Sequence, residues 1–582
     1  MTSEIVKEAA GIQTVDAKTE VTGGELVVDA LRSLGIRQIF GVPGGQTLAI
    51  NDAVYDRDDI SFITTRHEGA AAVMADAVGR LSGQPGVCLA TTGPGATNLL
   101  TGVGGAMRDS SPVIVITCNN RLPDLGRDDA QSADHLALFR PLTKWVLQVA
   151  DTRAIPRAIH EAAIRATSGL PGPVLLDFER SALESKVPVG DVDFPFTGKA
   201  ITRQVPGART LADPAIVASI ADEVLAAKRP LLWIGNGVQL SGAETAVLEL
   251  AEALNAPVIT TFNSIGAVES GHPHVFGPLS RMGTAISREA IEDADLVLAI
   301  GNSLNAVSTS RWQLKLQKVI QIDTDAANTG VHYPKITTAV TGDARSVVLQ
   351  LTSELGARSG LADAHRSRKE WMDSLRESKR TFWEAVEKED TAATPMSPIA
   401  LTAALRAATP DDAIIAVDAG NPGVWSHMWE ARKQGRYIKP VGFGNMGFAL
   451  PGAIAAKTIE PTRPVIAWLG DGSLGMTMGE LETVVREGLS ICIVVMNDQG
   501  YGNIRQEELH YHGERYNGVD FVETDYAAVA RGFGIAAFRV DSARQLRDAV
   551  RTVLSSGKAG LIDARIDPDV SVWTHPLLTG KA

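Results

Sequence analysis

The chain has 582 residues, enough for three or four domains of ordinary size, and is 45% hydrophobic and 21% charged. That is the composition of a folded globular protein rather than a disordered or collagen-like one. Lys and Arg number 55 against 68 Asp and Glu, a net charge of −13 that argues against nucleic-acid partners and an anionic membrane surface.

Anionic ligands stay open, because backbone amides or a metal ion can hold them locally. The three cysteines, Cys88, Cys118 and Cys492, each sit in an apolar run and form no CxxC pair. They read as buried strand residues in a reducing compartment, the cytoplasm. The first residues are mixed in charge and lack the apolar stretch of a signal peptide. No run approaches 18 uninterrupted apolar residues, so no membrane span is expected.

Residues 1–20 read as a loose tail. A helix follows in GGELVVDALRSLGI, with Val27, Val28, Leu31 and Leu34 on one stripe. Short apolar runs then alternate with helical segments: IRQIFGVPGG, GVCLATTGPGATN, PVIVITCNN and GPVLLDF. Their lack of period-2 alternation predicts strands covered on both faces, a parallel sheet between helices. This N-terminal domain is expected over 21–190, and a polar Pro/Gly stretch at 185–207 reads as a linker. RPLLWIGNG, APVITTF, ADLVLAIGN and KVIQIDTD supply a second, Rossmann-like α/β unit over 205–355. A charged helical segment within 356–394 reads as a solvated connector. A third unit over 395–575 takes its strands from AIIAVDAGNP, RPVIAWLGDGS, LSICIVVMND and AGLIDARI. The expected fold class is α/β, three doubly wound parallel-sheet modules.

In the third unit one strand ends in Gly470-Asp471-Gly472-Ser473 and the next in Asn497-Asp498-Gln499-Gly500. Strands flanking a crossover helix end on the same sheet edge, where open α/β folds bind ligands. Asp471 and Asp498 can therefore converge, and two carboxylates with a backbone carbonyl suit Mg²⁺. Gly470 and Gly472 allow close approach and leave amides free for a phosphate. GDG by itself is an ordinary turn; the second acidic strand end makes it a candidate site. Arg66-His67-Glu68 precedes an Ala-rich helix, where Glu alone is explained by the helix dipole. The stretch Val441 to Pro451, VGFGNMGFALP, is too rich in glycine for a helix interior.

Taken together, and with GVPGG (41–45) and TTGPGATN (91–98), these features resemble the thiamine-diphosphate-dependent decarboxylases and carboligases, most closely the acetolactate (acetohydroxyacid) synthase large subunits. The resemblance runs in order from about residue 23 to 570. It implies a pyrimidine-binding, a central and a diphosphate-binding domain. It also implies that Glu68 hydrogen-bonds the cofactor's pyrimidine ring and activates its amino group as an internal base. Met446 would wedge the cofactor into a folded shape, and the main chain at Gly444 and Met446 would bond the pyrimidine edge. Asp471, Asp498 and the Gly500 carbonyl would be the Mg²⁺ ligands, with Gly420, Asn421 and Ser473 at the diphosphate. Asp498 departs from the Asn usual in the family, a harder ligand that should keep Mg²⁺. Glu68 and the GDG site would meet across two chains, so a homodimer is the minimum unit and a homotetramer is expected.

The implied reaction is decarboxylation of a 2-oxo acid and transfer of the acyl carbanion to a carbonyl acceptor. Gln131 falls where acetolactate synthases carry an active-site glutamine, and DAQSADHLALFRPLTKW resembles the flavin-free kind. Simple decarboxylases need histidines that TCNNRLPD lacks, and Gln46 and Thr91 stand where other members carry a proton donor; a site poor in donors favours carboligation. Two departures touch the acceptor: Val307 and Glu507 stand at the family's acceptor-binding Arg and Trp, and Glu507 would repel a carboxylate acceptor unless Arg505 or Arg281 substitutes. His135, His510 and His512 are candidate proton shuttles, and equally ordinary packing or surface histidines. The central GNG at 235–237 is weak evidence for a nucleotide, and FAD is disfavoured. A lyase acting on a 2-oxo acid or 2-hydroxy compound is the alternative, and a regulatory homologue without turnover the remote one.

Overall fold

The computed structural model describes residues 19–124, 127–192, 209–281, 283–389 and 392–579. The predicted tail and linker therefore fall partly outside the described residues, at 1–18 and 193–208. The non-alternating apolar runs form three six-stranded sheets, and every strand pair within them is parallel. Val113–Asn119 and Pro173–Glu179 are buried at every position, as expected where helices cover both faces.

The N-terminal sheet runs, edge to edge, Ser61–Thr64, Gln38–Gly41, Gly86–Ala90, Val113–Asn119, Pro173–Glu179, Trp145–Val149. Numbered along the chain, that order is 2-1-3-4-6-5. The C-terminal sheet has the same order, from Tyr437–Ile438 through Ile414–Val417, Val465–Gly470, Cys492–Asn497 and Gly560–Arg565 to Ala536–Val540. In both, the order reverses between the first and third strands, and the crevice at their carboxyl ends is the place for a ligand. The central sheet, built on Pro230–Ile234, is ordered 3-2-1-4-5-6, the dinucleotide-type arrangement. Its GNG glycines have a packing role: an added Cβ on Gly235 would meet the Gly301 carbonyl at 2.2 Å, and on Gly237 the Gly301 Cα at 2.6 Å.

The helices Glu68–Ser82 and Ala449–Ile459 pack together between the outer modules. Ala70 to Gly79 and Ala449 to Lys457 are all buried, the pattern of helices enclosed on every side. One hydrophobic core runs from Phe40 and Val115 through these helices to Leu469 and Ile493. The Glu68 turn and the Met446 loop are thereby each tied to a helix of this shared core.

Two connecting segments differ from the sequence expectation. Lys186–Pro188, inside the predicted linker, pairs antiparallel with Glu20–Thr22. The charged helix Lys369–Glu387 is not solvated all round: Met372, Leu375, Phe382 and Val386 are buried. Just before it, fully buried Arg368 donates to the carbonyls of Leu254 (2.8 Å), Val224 (2.6 Å) and Ala227 (2.9 Å). It thus closes the carboxyl ends of two central-module helices, Pro214–Ala226 and Glu244–Leu254.

Candidate active site

At the C-terminal switch point Asp471 opens a helix directly after its strand and is buried. Its Oδ1 accepts from the Gly472 amide (2.9 Å) and its Oδ2 from the Gly500 amide (3.1 Å). The predicted convergence of the two acidic strand ends is therefore observed. Asp498 Oδ2 accepts from Asn421 Nδ2 at 2.6 Å. Burial, reinforced by the Asp498 charge, pushes the Asp471 carboxyl up to about 7. Burial likewise pushes Asp498 up to about 6, against the Asn421 hydrogen bond. Asn421 Oδ1 is buried with no hydrogen-bond partner. The buried Asp471 and half-buried Asp498 carboxyls and an unpartnered amide oxygen form an oxygen-rich pocket whose chemistry suits a hard divalent cation. Gly502, which the sequence reading passed over, is obligatory here: a Cβ would lie 1.7 Å from Asp498 Oδ2.

Further residues that the resemblance assigns to the cofactor lie on the neighbouring turns. Gly420 has φ +80°, Gly444 φ +71° and Gly447 φ +80°, left-handed positions open to glycine at little cost. A Cβ on Gly472 would meet Tyr501 Cε1 at 2.8 Å and Met446 Cε at 3.2 Å. Met446 and Tyr501 thus crowd the GDG turn from the open side. The Ser473 hydroxyl is buried and donates to Asp418 Oδ1 (2.9 Å).

Asp418 was not singled out from sequence, although AVDAGNP was on view as a strand end. Fully buried, it also accepts from the amides of Ala419 (2.9 Å), Gly447 (2.9 Å) and Ala449 (2.8 Å). Desolvation pushes it up to about 6 in spite of these donors. It anchors the far end of the 441–448 loop. The near end is held by N-terminal-module Asp109, which accepts from the Val441 (3.1 Å) and Gly442 (2.7 Å) amides and from Arg80 (2.9 Å). Asp418→Ala strips an acceptor from three amides and a hydroxyl. The expected result is a roughly 10- to 100-fold weaker cofactor affinity, the scale seen when supporting hydrogen bonds of a site are removed, measured by calorimetric titration of thiamine diphosphate.

The N-terminal residues gather separately. Glu68 Oε2 accepts from Asn98 Nδ2 at 2.9 Å, and a Cβ on Gly95 would lie 3.4 Å from its Oε1. The preceding turn is fastened to the C-terminal module of its own chain. Buried Glu480 Oε1 accepts from the Arg66 (2.9 Å) and His67 (3.2 Å) amides. Gln131 lies at φ +62°, and its carbonyl accepts from Thr92 Oγ1 at 3.3 Å. Gln46 donates to Asn120 (3.0 Å) and accepts from Thr91 (2.6 Å). Among the described residues, no hydrogen bond joins Glu68 or Gln131 to Asp471, Asp498 or Asn421 of the same chain.

The three histidines read as candidate proton shuttles sit in different surroundings. His135 is buried, with Nδ1 2.7 Å from Asp177 Oδ1 and Nε2 accepting from the Gly93 amide at 3.1 Å. Both ring nitrogens are engaged. His510 stacks on Trp573 at 5.0 Å, and His512 is exposed at the end of its helix. On the acceptor side, Arg281 pairs with Glu507 (3.2 Å) and lies over the Trp573 ring at 4.4 Å. The Arg281 amide donates to the Val307 carbonyl at 2.9 Å. Arg505 is turned instead to Asp520 (3.3 Å) and Asp569 (3.4 Å).

Comparison with known proteins agrees with this two-part geometry. Residues 21–138 match the N-terminal TPP binding domain of thiamine pyrophosphate enzymes, 217–351 the central domain and 418–564 the C-terminal TPP binding domain. A probable acetolactate synthase large subunit of Methanocaldococcus jannaschii is 32% identical over 558 residues, covering 94% of this chain and 92% of its own. The acetolactate synthase isozyme 2 large subunit of Escherichia coli is 31% identical over 558 residues (95% and 97%). An acetolactate synthase large subunit of Parasynechococcus marenigrum is 30% identical over 581 residues (97% and 91%). With all three modules matched and the likeness spanning nearly its whole length, the chain belongs to the thiamine pyrophosphate enzyme family.

Proposed function

We propose that the chain is a Mg²⁺- and thiamine-diphosphate-dependent carboligase of the acetolactate synthase kind. It acts on a pyruvate-like 2-oxo acid and joins the acyl unit to a carbonyl acceptor. The observation that carries this reading is buried Asp471 beside half-buried Asp498, with the orphaned Asn421 oxygen. Asp471, Asp498 and the Gly500 carbonyl hold the metal. Backbone at Gly420, Asn421, Gly470, Gly472 and Ser473 receives the diphosphate, and Gly444 and Met446 receive the pyrimidine. Bound thiamine diphosphate supplies an electron sink for decarboxylation and a nucleophilic acyl carrier. Glu68 exchanges a proton with the pyrimidine, held in place by Asn98. Because Glu68 bonds within its own module, away from the metal pair of its chain, the two halves come together between subunits. A homodimer is then the minimum unit, and a homotetramer two such pairs.

Carboligation is favoured over release of an aldehyde by the makeup of the Gln131 side. Gln46, Thr91, Thr92, Asn120 and Gln131 are neutral, and the nearby His135 has both nitrogens engaged. A proton donor for the alternative outcome is missing from this group. The Arg281–Glu507 pair supports an acceptor subsite with no net charge of its own. No helix among the described residues is long and apolar enough to cross a membrane. The three cysteines are free and buried, which supports a reducing, cytoplasmic setting. The test is proton NMR of the protein with pyruvate, Mg²⁺ and thiamine diphosphate. Acetolactate as the main product is expected; acetaldehyde alone would transfer the assignment to a lyase.

A further inference from the structure

We infer that His135, backed by Asp177, is a positioning residue that sets the backbone of Gln131 and of the Thr91–Gly95 turn, and exchanges no proton with substrate. This rests on the proposed placement of Gln131 toward the reacting carbonyl.

The core of the N-terminal module contains an unusual polar cluster. Asp177 is 1% exposed, on a strand buried at every position. Its Oδ1 accepts from Thr117 Oγ1 (2.7 Å) and its Oδ2 from Asn119 Nδ2 (2.9 Å). The His135 ring, also 1% exposed, completes the set at 2.7 Å. An ionised carboxylate accepts only, so Nδ1 carries the proton; the Gly93 amide donates to Nε2, which is therefore unprotonated. The ring is thus held as one neutral tautomer, with its acceptor aimed at the main chain of the turn.

What that acceptor holds lies beside Glu68 and Gln131. Gly93 has φ +63° and Gln131 φ +62°. The two backbones touch, since a Cβ on Gly93 would lie 2.2 Å from the Gln131 carbonyl oxygen. Two residues later Gly95 borders the Glu68 carboxylate, and Asn98 donates to it. A non-glycine residue held left-handed is strained and persists only where its surroundings enforce it. Here the enforcing contacts are the Thr92 hydroxyl on the Gln131 carbonyl, the Asn120 amide on the Ala130 carbonyl (3.1 Å), and His135 fixing Gly93 between them. Side chains buried for packing alone would have no reason to be charged or polar at these positions, because an unpaired buried acceptor is costly.

The test uses the full-length holoenzyme in a double-mutant cycle with Gln131→Ala. His135→Leu is expected to lower kcat/KM for pyruvate about 10-fold, and less than about 2-fold when Gln131 is already Ala. His135→Gln, able to donate to Asp177 and accept from Gly93, restores most of the rate. Thr92→Val, which removes the hydroxyl link to the Gln131 carbonyl together with its 3.4 Å approach to His135 Nε2, gives the same non-additive loss and keeps the cycle informative should His135→Leu fail to fold. Independently of turnover, hydrogen exchange across residues 86–99 is expected to quicken about 10-fold in His135→Leu and to stay near wild type in His135→Gln. Equal losses with and without Gln131 would overturn the inference, as would the disappearance of one limb of the pH–rate profile in His135→Gln. A wild-type protein inactive on pyruvate would instead strike the functional reading, with the exchange result standing by itself.

Discussion

Asp471→Asn is expected to lower turnover on the order of 1,000-fold, about 4 kcal/mol of transition-state stabilisation, while raising the stability of the metal-free protein at pH 8. The two effects share a cause. Burial lifts both site carboxyls above the ordinary carboxylate range of about 4, Asp471 to about 7 with the Asp498 charge adding to it and Asp498 to about 6. Between those limits the native protein binds more protons than the unfolded chain, so metal-free stability falls as pH rises from about 4 to about 7 and then levels off. Asparagine imitates the protonated acid, so variant and wild type converge below about pH 4, differ partly at pH 5 and stand furthest apart above about pH 7. Mg²⁺ offsets the same repulsion and should raise the wild-type melting temperature far more at pH 8 than at pH 5. Thermal scans at both pH values, with and without Mg²⁺, check this. A variant no more stable than wild type at pH 8 would mean that the pair is not under electrostatic strain.

Glu68→Gln is the second large effect, with turnover expected to fall about 100- to 10,000-fold, the range for loss of a positioned proton-transfer group. Cofactor affinity should change little, because the proposed diphosphate and metal contacts lie in another module. Glutamine still accepts the Asn98 hydrogen bond, so the turn stays in place and the loss reports chemistry rather than folding. Mixing this variant with Asp471→Asn tests the arrangement across subunits. Under random exchange half of the dimers are mixed, and each mixed dimer carries one site with both residues intact; activity recovers to about a quarter of wild type. A mixture no more active than its parents would place both halves within one chain.

The regular parts of the site were legible because their signals are local. A buried parallel strand needs apolar residues on both faces, so VIVITCN and CIVVMN announce themselves. Glycines at strand ends mark where backbone must approach a ligand or another turn, and the two acidic strand ends in GDGS and NDQG follow from sheet geometry. The combination of GDG, RHE and GNMGFALP carries the resemblance to the family in the sequence itself. Other determinants lay in pairings between distant segments. Asp418 is one acid among many in the sequence; its role comes from amides 29 and 31 positions away and a hydroxyl 55 away. Glu480 reaches the Arg66 amide over 414 positions. Glu507 reads as a repulsive charge until Arg281, 226 positions distant, is set against it.

Sequence by itself therefore determined the α/β class, the three modules, the family and the residues at the strand ends. These depend on side-chain polarity along a short segment, which the backbone converts directly into burial. Only the tertiary structure decided that His135 is buried with both ring nitrogens engaged, that Ser473 gives its hydroxyl to Asp418, and that the outer modules share one strand order and one core. Those outcomes are set by which side chains meet across packed helices and sheets, where burial, the supply of partners and electrostatic neighbours come from every part of the chain at once.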